Sequence, residues 1–395
     1  MKLLVLLAVA LAVVGGCSSG GDDGDAGSSS VARSTGTLPE EASLEGCRDV
    51  ADGDEARSCY AAALAAIMRD SDDPSKGLEQ IAVEAYTEPT GRLLGDCHGL
   101  MHTVGRAYAA ENGVTLENLM TYLPQTNEPG CSAGFAHGLV TAVAPEIDLG
   151  DPASSVAVCD EALTRYRRYS CVHGFGHAFM RLVREDVNEA LRLCSVLGAD
   201  APDCSQGAFH DYWFAVAGAD DAERPETVVE DPRELCGAQP DEFVRPCWYR
   251  AFIENRPEKP IESGADILAL CEGLDGLQRQ ACITAGSVVG PPDPAVQLAF
   301  CAELDGEEAE SCIRGTKVQN LIASPAEEHV ALLQECDGFP DETALACYRW
   351  LGKVMSVLTD GAFEQYGCGS APDARRRHAC EQGAGEIDEP LVTFS

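Results

Sequence analysis

Apolar residues return every three or four positions through segment after segment of this chain. Val187-Asn188-Glu189-Ala190-Leu191-Arg192-Leu193 shows the pattern in its simplest form, with the period of one helix face. The flanks are rich in Ala, Leu, Glu and Arg, which favour helix over strand. Around Cys271 and Cys282 the sequence reads LALCEGLDGLQRQACITAGSVV, and around Cys301 and Cys312 it reads FCAELDGEEAESCIRGTKV. In both, an apolar segment ends at the first cysteine, a polar turn follows at Asp275-Gly276 or Asp305-Gly306, and a second apolar segment begins at the second cysteine. The pattern predicts two antiparallel helices per unit, with the glycine in the left-handed position that closes the first. Gly53 and Gly338 recur at a similar place.

Cysteines repeat this unit along the chain. Eight pairs stand 10 to 12 positions apart: Cys47/Cys59, Cys159/Cys171, Cys194/Cys204, Cys236/Cys247, Cys271/Cys282, Cys301/Cys312, Cys336/Cys347 and Cys368/Cys380. Each pair is expected to be disulfide-bonded, tying the last turn of one helix to the first turn of the next. Cys97 and Cys131 lack such a partner and fall in two consecutive hairpins, so they are expected to bond to each other and join neighbouring second helices. A disulfide closing a loop of this size stabilises by roughly 3 kcal/mol, which a short hairpin with little surface to bury requires. Small residues stand three after the second cysteine, at Gly134, Gly174, Gly207, Ala285, Gly315 and Gly383. Mid-helix glycine costs about 1 kcal/mol against alanine, so its recurrence predicts close helix packing.

The expected fold is all-α: an α-solenoid of about nine helical hairpins of ~34 residues, most of them stapled by a C-x9–11-C disulfide. Residues 42–213 carry the histidines and residues 214–395 are poor in them, as parts of one continuous solenoid. A helical hairpin of this period resembles tetratricopeptide and Sel1-like repeats, including cysteine-stapled Sel1-type proteins of bacteria. The resemblance covers residues 45–390 by period; it implies a superhelical shape and says little of activity.

The ends and the composition add a compartment. MKLLVLLAVALAVVGGC has one basic residue and then a short apolar run, the anatomy of a secretion signal. That run is too short for a permanent membrane span. Val14-Gly15-Gly16-Cys17 resembles the lipobox of bacterial lipoproteins, which implies a signal peptide over 1–16 and a diacylated Cys17. Residues 17–41, rich in Gly, Ser and Asp, would form a flexible tether. The expected location is the outer face of a bacterial cell membrane, held by the N-terminal lipid. Setting Cys17 aside leaves 18 of the 19 cysteines, an even number in a chain exported to where disulfides persist. Lys and Arg total 28 against 65 Asp and Glu, a net charge of −37 that repels nucleic acid and anionic headgroups.

Candidate chemistry lies in the histidines. Six of the eight fall between His98 and His210. CHGLMH holds His98 and His102, and CVHGFGH holds His173 and His177, each pair four apart on one helix face. One hairpin after each pair comes a single histidine six beyond its cysteine, His137 and then His210. This predicts two triads, His98/His102/His137 and His173/His177/His210, since packed helices bring a third imidazole within reach of an ion gripped by a pair. Three imidazoles with an open position form the ligand set of catalytic zinc, and imidazole also suits copper and iron. Asp96 and Asp211 stand beside these residues and could accept a ring N–H, orienting it.

Three readings follow: a metal-binding protein for sequestration, delivery or redox chemistry; a metal-free interaction scaffold of the cell envelope; and a metal-dependent enzyme of unstated reaction. HExxH, GxxxxGK and CxxCH are all absent. A protein partner would meet the repeat surface, where Trp248, Tyr249, Phe252 and Trp350 are candidate contacts unless they fill the core.

Overall fold

Asp-Pro dipeptides start the first helix of several hairpins. Asp73, Asp151, Asp231 and Asp293 each cap a helix by accepting a first-turn N–H, and the proline that follows occupies the first helical turn. The carboxylate satisfies a donor the helix cannot, and proline lacks the N–H that would be orphaned there. The computed structural model describes residues 42–386 apart from 51–52, 72, 89–91, 127–129, 217–227 and 322–323, all within the unit Leu38–Ser395. Cys17, the signal region and the tether lie outside the described residues.

The described residues form helices and no strand, arranged as ten consecutive hairpins. The first five are α1 (Leu44–Arg48) with α2 (Asp54–Asp70), α3 (Pro74–Thr87) with α4 (Arg92–Asn112), α5 (Leu119–Tyr122) with α6 (Cys131–Ala142), α7 (Pro152–Val156) with α8 (Arg165–Leu182), and α9 (Val187–Ser195) with α10 (Ala201–Val216). The second five are α11 (Pro232–Gly237) with α12 (Asp241–Glu254), α13 (Gly264–Leu270) with α14 (Gly276–Val288), α15 (Pro294–Cys301) with α16 (Gly306–Ile313), α17 (Ala326–Glu335) with α18 (Asp341–Leu358), and α19 (Ala362–Tyr366) with α20 (Ala374–Ala384). Each even-numbered helix packs on the next, from α2 through α20, so the second helices make a continuous stack with the first helices alongside. Helix α18 also reaches back to touch α8. None of the described helices is long and apolar enough to cross a membrane.

Nine disulfides hold this stack. Eight close a hairpin on itself, with Cα atoms 5.4 to 5.8 Å apart: Cys47–Cys59, Cys159–Cys171, Cys194–Cys204, Cys236–Cys247, Cys271–Cys282, Cys301–Cys312, Cys336–Cys347 and Cys368–Cys380. The ninth, Cys97–Cys131, links α4 to α6 across 5.0 Å. Ten hairpins rather than about nine therefore share nine bridges, because this one bridge serves two of them.

Where the bridges enter the second helix differs from expectation. Cys59 of α2, Cys171 of α8, Cys247 of α12, Cys282 of α14, Cys312 of α16, Cys347 of α18 and Cys380 of α20 stand in the second turn of their helices, not the first. Cys204, the fourth residue of α10, opens its second turn. The polar residues that read as a connecting turn are the helix's own first turn, with Asp54 and Glu55, Asp241 and Glu242, Glu307 and Glu308, and Asp341 and Glu342 at its start. Carboxylates there complement the positive end of the helix dipole, so the helix begins before its apolar face does. The turn glycines shift with it. Gly276 and Gly306 are left-handed, with φ of +48° and +52°, but they open the second helix rather than close the first. Gly338 sits in a tight 3-10 turn after α17 and does not have positive φ.

Glycines govern how closely the stacked helices approach. A Cβ at Gly134 would run into the His98 carbonyl oxygen, at Gly207 into that of His173, at Gly315 into that of Thr284, and at Gly383 into that of Arg349. At Gly174 it would meet the side chain of Val140 at 2.9 Å. At four of these five contacts backbone meets backbone, which only a residue without a side chain permits. Trp248, Tyr249 and Phe252 are buried and belong to the core, with Trp350 packed against it.

Candidate metal centre

Five successive second helices deliver the site: α4 carries His98 and His102, α6 His137, α8 His173 and His177, α10 His210, and α12 Arg250 and Glu254. Their histidines turn inward to one place. Close approach is what allows it, since Gly134 and Gly138 bring α6 against the carbonyls of His98 and His102, and Gly207 brings α10 against that of His173. With these helices in contact, the imidazoles on their inner edges fill the same volume.

All six rings gather in a single cluster, so the two triads meet. Ring centroids lie 5.1 Å apart for His98 and His137, 4.4 Å for His137 and His173, 4.8 Å for His102 and His177, and 4.9 Å for His177 and His210. Nitrogens of His98, His102 and His137 lie mutually within 4.8 Å, as do those of His137, His173 and His177. The first set matches the sequence expectation. In the second, His137 stands where His210 was expected, because α6 packs between α4 and α8 and so serves both pairs. His210 remains on the rim beside His177, its Nε2 3.4 Å from the Glu254 carboxylate of the next helix.

Hydrogen-bond partners fix several ring protons. The His98 Nδ1 is 3.1 Å from the Gly130 carbonyl oxygen, which only accepts, so that nitrogen carries the proton and Nε2 presents its lone pair. In the same way Asp211 Oδ1, 2.8 Å away, accepts a hydrogen bond from the Nδ1–H of His177. Tyr169 donates its hydroxyl to Gln206 Oε1 at 3.3 Å, leaving the phenol oxygen to accept from His173 Nδ1 at 3.3 Å. The Arg250 guanidinium, which can only donate, lies 3.4 Å from His173 Nε2. Both inner Nε2 atoms therefore present lone pairs, 3.1 Å apart. On α4 the Nε2 atoms of His98 and His102 approach to 3.2 Å. These separations are close to the roughly 3.3 Å between ligands around a tetrahedral ion with bonds of 2.0–2.1 Å.

Asp96 does not take the orienting role considered for it: it is exposed, and the Gly130 carbonyl meets His98 Nδ1 instead. Two buried nitrogens, Nδ1 of His137 and of His210, have no hydrogen-bond partner. A buried, unsatisfied polar atom costs about 1–3 kcal/mol unless something occupies it. Burial holds His102, His137, His173 and His210 well below the usual histidine range, and neighbouring imidazoles or Arg250 add to it. These rings are thus neutral, the form in which imidazole binds a metal. Burial pushes Glu254 up to about 7, with Arg250 opposing and Asp211 reinforcing the shift.

Sequence reasoning passed over Arg250, Glu254, Tyr169, Gln206 and Ser170. Arg250 had a signal: it stands three after Cys247, where the other repeats, apart from Trp350 after Cys347, have glycine or alanine. With Glu254 one turn on, it interrupts an otherwise apolar run. No protein family, curated protein or solved structure matches this chain, so the likeness to tetratricopeptide and Sel1-like repeats rests on period and hairpin architecture.

Proposed function

We propose that this chain is an exported, lipid-anchored helical-repeat protein whose histidine cluster binds a transition-metal ion, for sequestration, delivery or redox chemistry. One observation carries the reading: the His173 and His177 Nε2 lone pairs face each other across 3.1 Å, held by Asp211 behind one ring and by Tyr169 behind the other. Facing lone pairs repel, and a cation between them turns that repulsion into two bonds. Donor chemistry selects zinc, copper or iron, because magnesium and calcium take oxygen ligands. Charge agrees with this choice. Asp211 and Glu254 stand beside the rings against Arg250, so carboxylates are at hand to offset part of the charge an ion would bring.

Export and anchoring are supported by the N-terminal sequence, and nine bridges suit an oxidising compartment. The test is elemental analysis of the full-length protein, expressed with its leader and purified from separated membrane and soluble fractions. The expected result is membrane-bound protein carrying stoichiometric zinc, copper or iron. Protein that carries none and takes up none of the three on titration is instead the metal-free interaction scaffold. Recovery from the soluble fraction with Cys17 unmodified removes the anchor from the reading.

A further inference from the structure

We infer that the two three-histidine sets are alternate positions for one ion: an entry position on His98, His102 and His137, and a holding position on His137, His173 and His177. His137 is the ligand handed from one to the other. This rests on the metal-binding reading above and adds to it a direction of loading.

Access separates the two sets. His98 and His102 are only partly buried, whereas His137 and His173 are 0% exposed and His177 is 1% exposed. An ion from solvent therefore meets the α4 pair first. The positions adjoin, because the His102 ring of the entry set lies 4.8 Å from the His177 ring of the holding set, and the His137 ring lies 5.3 and 5.2 Å from them. Transfer requires only that one pair of ligands replace another around an ion that keeps His137.

Simultaneous occupation is opposed by His137 itself. A neutral imidazole has one lone pair, and serving two ions at once would require it to lose its second proton. Its Nε2 is 3.3 Å from Ser170 Oγ, which leaves Nδ1 as the nitrogen without a partner. A neutral His137 thus has one lone pair to offer, and both sets include it. Two dications side by side would also confront Arg250 with only Asp211 and Glu254 close by to balance them.

The holding position is the better supported. Behind His177 stands a carboxylate and behind His173 the Tyr169–Gln206 relay, whereas the partner behind His98 is the Gly130 backbone carbonyl. A carboxylate behind a ligating ring fixes its tautomer and raises its basicity. Equilibrium therefore favours the inner set. Arg250 occupies the same place before loading, since its guanidinium lies 3.4 Å from His173 Nε2 and must be displaced when the ion comes to rest there. Glu254, 3.6 Å from the other guanidinium nitrogen, can receive it when displaced.

Zinc alone is the probe, added to the full-length protein and to two double variants, with stoichiometry from calorimetry and uptake rate from stopped-flow chelator competition. The wild type is expected to take one zinc per chain. His98→Phe with His102→Phe should slow uptake by about tenfold with equilibrium affinity little changed, and His173→Phe with His177→Phe should load quickly but bind about 100-fold more weakly. Two zincs bound together by the wild type overturn the inference while leaving the metal-binding reading intact, and this measurement depends on no variant folding. Uptake by the α4 variant at the wild-type rate overturns it as well. Failure of the wild type to bind zinc, copper or iron removes the reading on which it rests.

Discussion

His137 and His329 are both buried histidines, one in each half of the molecule, and they are built in opposite ways. His329, on the first helix α17, has Nε2 2.7 Å from the Leu321 carbonyl oxygen and Nδ1 2.8 Å from the Tyr366 hydroxyl. The carbonyl fixes the proton on Nε2, the hydroxyl donates to Nδ1, and the ring is fully satisfied. His137, on the second helix α6, keeps Nδ1 without a partner and is surrounded by His98, His102, His173 and His177. Burial alone is therefore no sign of a site; the partners decide. The later hairpins teach the complement of this. Stacked and bridged like the earlier ones, with no cluster of imidazoles between them among the described residues, they show that the scaffold does not depend on imidazoles to pack.

The sharpest way to break that comparison is to wedge equivalent helix contacts in the two halves. A Cβ at Gly134 would strike the His98 carbonyl, and one at Gly383 the Arg349 carbonyl. Gly134→Val and Gly383→Val should each destabilise by about 1–3 kcal/mol through overpacking. Only Gly134→Val should also lose the metal, since it moves His137 away from His98 and His102. Denaturant midpoints and metal content after dialysis check both. Loss of metal from Gly383→Val would mean the halves are coupled, and wild-type metal content in Gly134→Val would mean the close approach at α6 does not place His137.

That contact also marks how far the sequence could be read. Paired cysteines and helical periodicity revealed the hairpins because both are local signals, and the Cys97–Cys131 link followed from two hairpins left without their own bridge. Helix starts were less legible. The turn before Cys59 or Cys347 is polar and looks like a loop, although its acidic residues belong to the helix. The glycines three after five of the second cysteines announced close packing, but a sequence cannot say which carbonyl they approach. For the histidines the residues were legible and the grouping was not. His137, His177 and His210 all stand six after their cysteines, which puts them on one inner edge of three consecutive stacked helices. Which pair claims His137 depends on the order of stacking, a tertiary fact. Arg250 and Glu254 come from a helix with no histidine, and chain-local reasoning had little reason to bring them in.

A second test exchanges the two kinds of histidine for apolar residues in metal-free protein. His329→Phe leaves the buried Leu321 carbonyl contact and the Tyr366 hydroxyl without their partner, and should cost about 1–3 kcal/mol. His137→Leu removes one ring nitrogen that had no partner and one long contact to Ser170 Oγ, so the metal-free chain should change less than at His329, by about 0.5 kcal/mol. Thermal unfolding with a chelator present measures both. A loss at His137 as large as that at His329 would identify the cluster as a packing device and count against a ligand site.

The last test is a pH dependence carried by the histidine-rich half. His102, His137, His173 and His210 are held well below their ordinary range in the folded chain, first by burial. Unfolded, they regain a pKa near 6.5, so below that pH the unfolded state binds more protons than the folded one. Stability then rises with pH, and the loss begins as pH falls through about 6.5 and continues towards the depressed folded values. Glu254 acts in the opposite sense: raised to about 7, it binds its proton more tightly when folded, so its contribution is present at acid pH and lost as pH rises through that value. Four histidines outweigh one glutamate, and the metal-free protein should lose stability on acidification below about 6.5 by up to about 1.4 kcal/mol per pH unit for each net proton. Replacing the four histidines by Phe should flatten that slope. An unchanged slope in the fourfold variant would show that the acid sensitivity arises outside the cluster.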